Sequence, residues 1–124
     1  MKTAKSHTIL IIEPDAPFRE ELYNFLLAAG YEQVTATDSL TSVLEPIRHA
    51  AYDVIFAAAG APGADGLQVA QDIAALSPTT KTILMINAKD QDTWQQLAAH
   101  IVGVHFLLKM TFARNVWYLL TDCA

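Results

Sequence analysis

Short apolar runs and amphipathic segments alternate along the whole chain. Thr8–Glu13 (T-I-L-I-I-E) is a continuous β-branched run, the pattern of a strand buried on both faces. Phe18, Leu22, Phe25, Leu26 and Ala29 then recur at helical spacing. Asp15 is placed to cap that helix, Pro17 falls in its first turn, where a missing N–H costs nothing, and Gly30 supplies the stop. Tyr31–Thr37 reads as a second strand, Asp38 or Ser39 as a cap, and Leu40, Val43, Leu44 and Ile47 as a helix stripe that Pro46 should shorten or kink. Tyr52–Ala58 is the third strand. A loop with Gly60, Pro62, Gly63 and Gly66 leads into a helix through Leu76, ended by Ser77-Pro78. Lys81–Asn87 predicts a fourth strand and Asp90–His100 a helix carrying Trp94, Leu97 and Ala98. Val104–Leu108 predicts a fifth strand, with Thr111 capping a last helix through Leu120.

Strand and helix alternating in this way imply an α/β domain, with a parallel sheet and helices on both faces joined by right-handed crossovers. Chemistry in such sheets sits beyond the carboxyl ends of the strands. The places to look are therefore Glu13–Asp15, Ala58–Gly60, Asn87–Ala88 and Lys109–Met110.

Composition narrows the picture. A chain of 124 residues that is 52% hydrophobic and 17% charged is one domain with a packed core, not a disordered tract. Met1–His7 is short, polar and basic, without the apolar core of a signal peptide. It is expected to be a disordered tail (1–7) ahead of a domain over 8–122. The net charge of −5 and the absence of a Lys/Arg stripe argue against direct nucleic-acid binding. No apolar run approaches the roughly 20 residues that span a bilayer. A single cysteine, Cys123, builds neither a disulfide framework nor a zinc cluster, which points to a reducing, cytoplasmic setting. His7, His49, His100 and His105 show no metal-ligand spacing.

Ile9–Leu22 (I-L-I-I-E-P-D-A-P-F-R-E-E-L), Tyr52–Gly66 (Y-D-V-I-F-A-A-A-G-A-P-G-A-D-G) and His105–Lys109 (H-F-L-L-K) occur in the order and spacing of one family. Through them the chain resembles the CheY-like response-regulator receivers of two-component phosphorelays, from about Thr8 to Leu120. That resemblance implies a (βα)5 flavodoxin-like three-layer sandwich with strand order 2-1-3-4-5. It also implies a known chemistry: an aspartate ending strand three attacks phosphorus, and Mg2+ is held by an acidic pair after strand one. A Ser or Thr after strand four and a Lys after strand five hydrogen-bond the phosphoryl oxygens.

Carried over position by position, most of that chemistry is missing. The first acid falls on Glu13 and the direct metal ligand on Pro14, with Asp15 beside it. The phosphoacceptor, four residues before Pro62, falls on Ala58, and the hydroxyl position on Asn87. Lys109 remains, but the following cis-proline is Met110, and Gly103–Lys109 is one residue shorter than the common pattern. The aromatic switch position falls on Phe106, which has no hydroxyl. The expectation is a pseudo-receiver: not an enzyme, without a cofactor, and acting as a phosphorylation-independent interaction or regulatory module.

Bland roles compete at each position. Lys109 is expected to be solvated or paired with Glu13, Asp15 to be a helix cap, and weak Mg2+ binding near Glu13 and Asp15 is the minor alternative. Neighbouring side chains and Met110 should close over Ala57-Ala58-Ala59. Asp53 and Asp65 stand away from the nucleophile's place. Trp94, His105, Leu107 and Trp117 mark a candidate interface, with packing favoured for Trp94. Partners would be proteins: a histidine kinase, an output domain, or a second copy in a homodimer. The alternative is a small-ligand- or anion-binding flavodoxin-like sensory domain, suggested by the glycines of Gly60–Gly66 but unsupported by any G-x-G-x-x-G or Walker A motif.

Overall fold

The computed structural model describes residues 7–39, 47, 52–58, 71–75, 78–98, 104–109 and 120. Among these, strands β1 (Thr8–Ile12), β2 (Gln33–Thr37), β3 (Val54–Ala58), β4 (Lys81–Ile86) and β5 (Val104–Leu108) form one parallel sheet in the order β2-β1-β3-β4-β5. Helix α1 spans Ala16–Ala28 and helix α2 spans Gln91–Ala98, the latter entered through a 3-10 turn at Ala88–Asp90. Residues 71–75, 47 and 120 are also helical. The expected tail 1–6, the kink at Pro46, the loop Gly60–Gly66 and the helix capped by Thr111 lie outside the described residues, as do Asp65, Met110, Trp117 and Cys123. His7, assigned to the tail, is instead buried at the head of β1.

Alternation along each strand sorts the core into two layers. Ile9, Ile11, Val54, Phe56, Ile83, Met85 and Leu107 face one side, where Leu22 and Leu26 of α1 and Leu120 cover them. Leu10, Ile12, Ile55, Ala57, Leu84 and Ile86 face the other, against Ile47, Ile73 and Trp94. Period-2 geometry is the cause: a strand covered on both faces turns consecutive apolar side chains to opposite layers. The three-layer α/β/α sandwich follows.

Helix α1 begins where expected, but not by the expected device. Asp15 occupies the N-cap with φ −75° and ψ 103°, and its side chain makes no capping bond. The carbonyl of Asp15 accepts the Arg19 N–H at 2.9 Å, and Pro17 sits in the first turn. At the other end Gly30 N–H donates to Leu27 O (3.0 Å) and Tyr31 N–H to Leu26 O (3.1 Å), with Gly30 at φ 102°. These are the two bonds of a Schellman close, and buried Tyr31 and Leu26 share the core beneath it. Tyr31 is thereby taken out of the strand, and β2 starts two positions later than the hydrophobic pattern suggests. Gly30→Ala should destabilise the domain by about 1–2 kcal/mol, since a Cβ is unfavourable at positive φ. A lowered urea midpoint with unchanged slope would show it.

The third strand starts at Val54, two positions later than expected, and Asp53 just ahead of it ties the strands together. Its carboxylate Oδ2 accepts from the Thr8 N–H (2.9 Å) and the Thr8 hydroxyl (3.0 Å). Its own N–H donates to Thr8 O (2.8 Å), and its carbonyl accepts from Lys81 N–H (2.9 Å). Asp53 thus ties β1, β3 and β4 together at the amino edge of the sheet, opposite the edge where the strands end.

Candidate functional site at the carboxyl edge of the sheet

The strand order places the ends of β1 and β3 side by side, with the ends of β4 and β5 beyond them. Glu13, Ala58, Asn87 and Lys109 therefore meet along one edge, although they come from four separate segments of the chain.

Glu13 is held from three directions. Its N–H donates to Thr37 O at 2.9 Å, and its carbonyl accepts from an Arg19 guanidinium nitrogen at 2.7 Å. Its carboxylate is 1% exposed and pairs through Oε1 with the ammonium of Lys109, itself 17% exposed. That ammonium also lies 5.2 Å from the centroid of the Phe18 ring, within cation–π range. Of the two expectations for Lys109, solvation or pairing, the structure has the ion pair. The cation is enclosed by a carboxylate and an aromatic face.

The remaining positions offer little chemistry. Pro14 and Asp15 are exposed, and Ala58 is half-buried against the core layer under α1. Asn87 is exposed, and its carbonyl accepts the Asp90 N–H at 3.0 Å to start the turn into α2. Among the described residues no three His, Cys, Asp or Glu side chains gather into a metal-binding group.

The candidate interface needs correction at Leu107, while the packing role favoured for Trp94 is what the structure has. Trp94 is 0% exposed and packs against Phe106 with ring centroids 6.0 Å apart at 45°, so it is a core residue. Leu107 is 1% exposed and belongs to the opposite core layer. Of the described interface candidates only His105 faces outward. The cause is alternation along β5, which sends Phe106 toward α2 and Leu107 into the opposite layer. Sequence reasoning also missed Arg19 and Phe18 as site residues. The available signal was their place one turn into the helix that leaves the strand-one acid, where side chains reach back over the sheet edge.

A doubly wound parallel sheet of this order, with its polar groups beyond the strand ends, defines a flavodoxin-like α/β domain. Within that class the family model of the response regulator receiver domain matches residues 9–116, and the chain belongs to that family. A response regulator receiver domain protein from Clostridium thermocellum is similar in structure, with TM-score 0.76 and 18% identity over 94% of this chain and 93% of that one. The chemotaxis protein CheY4 of Vibrio cholerae gives 0.75 and 16% over 96% and 99%. Full-length FixJ from B. japonicum gives 0.77 and 21% over 94% of this chain and 57% of that one. No curated protein matches the sequence significantly. The protein is thus a receiver domain of the two-component response-regulator type. No helix among the described residues is long and apolar enough to cross a membrane.

Proposed function

We propose that this receiver domain acts without aspartyl phosphorylation, as a protein-interaction and regulatory module. The observation that carries the reading is that β3 ends in Ala58, at the place where the resemblance puts the nucleophilic aspartate. A methyl group cannot form an acyl phosphate. The Glu13–Lys109 pair supports the same reading, because the ammonium that would meet phosphoryl oxygens is matched to a buried carboxylate. For the same reason an anion-sensing role is not favoured.

The residues do not fit Mg2+. A hard divalent cation takes several oxygen ligands, whereas Pro14 offers no side-chain oxygen and the Glu13 carboxylate is neutralised by Lys109. No step through a metal follows. Partners in this reading are proteins of a cytoplasmic signalling route: a kinase, an output domain or a second copy.

Acetyl phosphate with Mg2+ is expected to leave the intact mass unchanged. The double substitution Pro14→Asp, Ala58→Asp is expected to acquire a hydroxylamine-sensitive label. A hydroxylamine-sensitive label on the unsubstituted protein would overturn the proposal.

A further inference from the structure

Strand β2 is a terminal strand of the sheet, far from the β5 edge. In a parallel ladder, the N–H and C=O of one residue point to the same neighbour, and successive residues alternate sides. Thr37 O accepts from Glu13 N–H, so Gln33, Thr35 and Thr37 address β1. Val34 and Ala36 therefore direct their peptide groups outward, where they meet no partner among the described residues. Beside this open edge lies a groove of about 360 Å3, lined by Arg19, Glu20 and Tyr23 of α1 and by Val34, Thr35 and Ala36. An unpaired edge and an adjoining groove together match the geometry of strand addition, in which backbone bonds give affinity and alternate side chains fill pockets.

Charge selects the occupant. The strand Gln33–Thr37 is uncharged, while exposed Glu32 and Asp38 flank it and exposed Glu20 rims the groove. Among the described residues that line the groove, the cation is Arg19, which is turned to the Glu13 carbonyl at 2.7 Å. A two-fold antiparallel pairing of two copies, with Val34 opposite Ala36, would set Glu32 against Asp38 at both ends. Like charges directly opposite are destabilising, so the edge is guarded against its own copy.

From this we infer that the β2 edge takes an extended partner segment, β-branched and uncharged in the middle, with Lys or Arg at both ends. Its basic residues lie opposite Glu32 and Asp38. The side chains opposite Val34 and Ala36 project to the α1 face and enter the groove, since paired residues share a face. This surface does not depend on the phosphorylation reading: each can fail while the other stands.

The test is an amide NMR titration of the labelled protein with acetyl-Lys-Thr-Val-Thr-Val-Thr-Lys-amide. The expected result is saturable shifts over residues 33–37 and at Arg19, Glu20 and Tyr23. A probe with Glu at both ends, and one N-methylated at both valines, should each bind about tenfold or more weakly, about 1.4 kcal/mol or more. Ala36→Pro removes an outward N–H without touching the β1 ladder, and proline is tolerated at such edge positions. It should abolish the shifts, and Glu32→Lys with Asp38→Lys should reverse the preference to the acidic probe. Shifts confined to other surfaces, no shifts at all, or equal binding of the three probes would overturn the inference.

Discussion

Lys109→Met is expected to lower stability by about 3–5 kcal/mol, because it strands the carboxylate of Glu13 in the interior. Glu13 is 1% exposed and its counter-charge is the Lys109 ammonium. Methionine keeps much of the apolar stem, so the loss reports on the charge, including its place over Phe18, more than on packing. Chemical denaturation followed by far-UV circular dichroism would measure it. The companion experiment is the double substitution Glu13→Leu, Lys109→Met. Replacing both members of a buried pair with apolar groups is often neutral or stabilising, so most of the loss should return. If the double variant is as unstable as the single one, the pair is not what holds this edge together. The Glu13 main chain would then be the better candidate, through its bonds to Thr37 and Arg19.

Trp94→Ala should have an effect of similar size, also about 3–5 kcal/mol, since it removes the largest fully buried side chain among the described residues and opens a cavity under α2. The neighbours that lose contact include Phe106 on β5, whose ring lies 6.0 Å away between centroids. Trp94→Phe should be far milder, at about 1–2 kcal/mol. The indole Nε1 is buried with no hydrogen-bond partner among the described residues. Removing that donor offsets part of the lost contact area. Thermal unfolding of the two variants separates the contributions. Equal destabilisation by Phe and Ala would mean that the indole nitrogen has a structural partner after all.

Both predictions concern contacts between distant parts of the chain, and those were the least legible in the sequence. The alternation of T-I-L-I-I with a 3.6-residue stripe is local information, and it placed β1, α1 and β5 closely. Element ends were blurred where a residue had a competing task. Tyr31 closes α1 over Leu26 instead of opening β2, and Asp53 binds Thr8 and Lys81 just ahead of β3. Asp15 stood at the cap position that its residue type suggests, yet its carboxylate makes no capping bond. The Asp53–Thr8 bonds depend on which strand arrives alongside, whereas the Tyr31 and Asp15 outcomes are settled at the two ends of α1 itself.

The sequence by itself determined the layered α/β plan, the strand ends where a site belongs, and the residue types standing there: Glu13, Ala58, Asn87 and Lys109. Those follow from periodicity and side-chain chemistry, which the chain carries without folding. Only the tertiary structure decided that Lys109 reaches Glu13 and Phe18, and that Leu107 is a core residue rather than a surface one. It alone also turned the peptide groups of Val34 and Ala36 away from β1, between Glu32 and Asp38, where they meet no partner among the described residues. The physical reason is the crossover connection. It brings strands into the order β2-β1-β3-β4-β5, so neighbours across the sheet are set by winding rather than by distance along the chain.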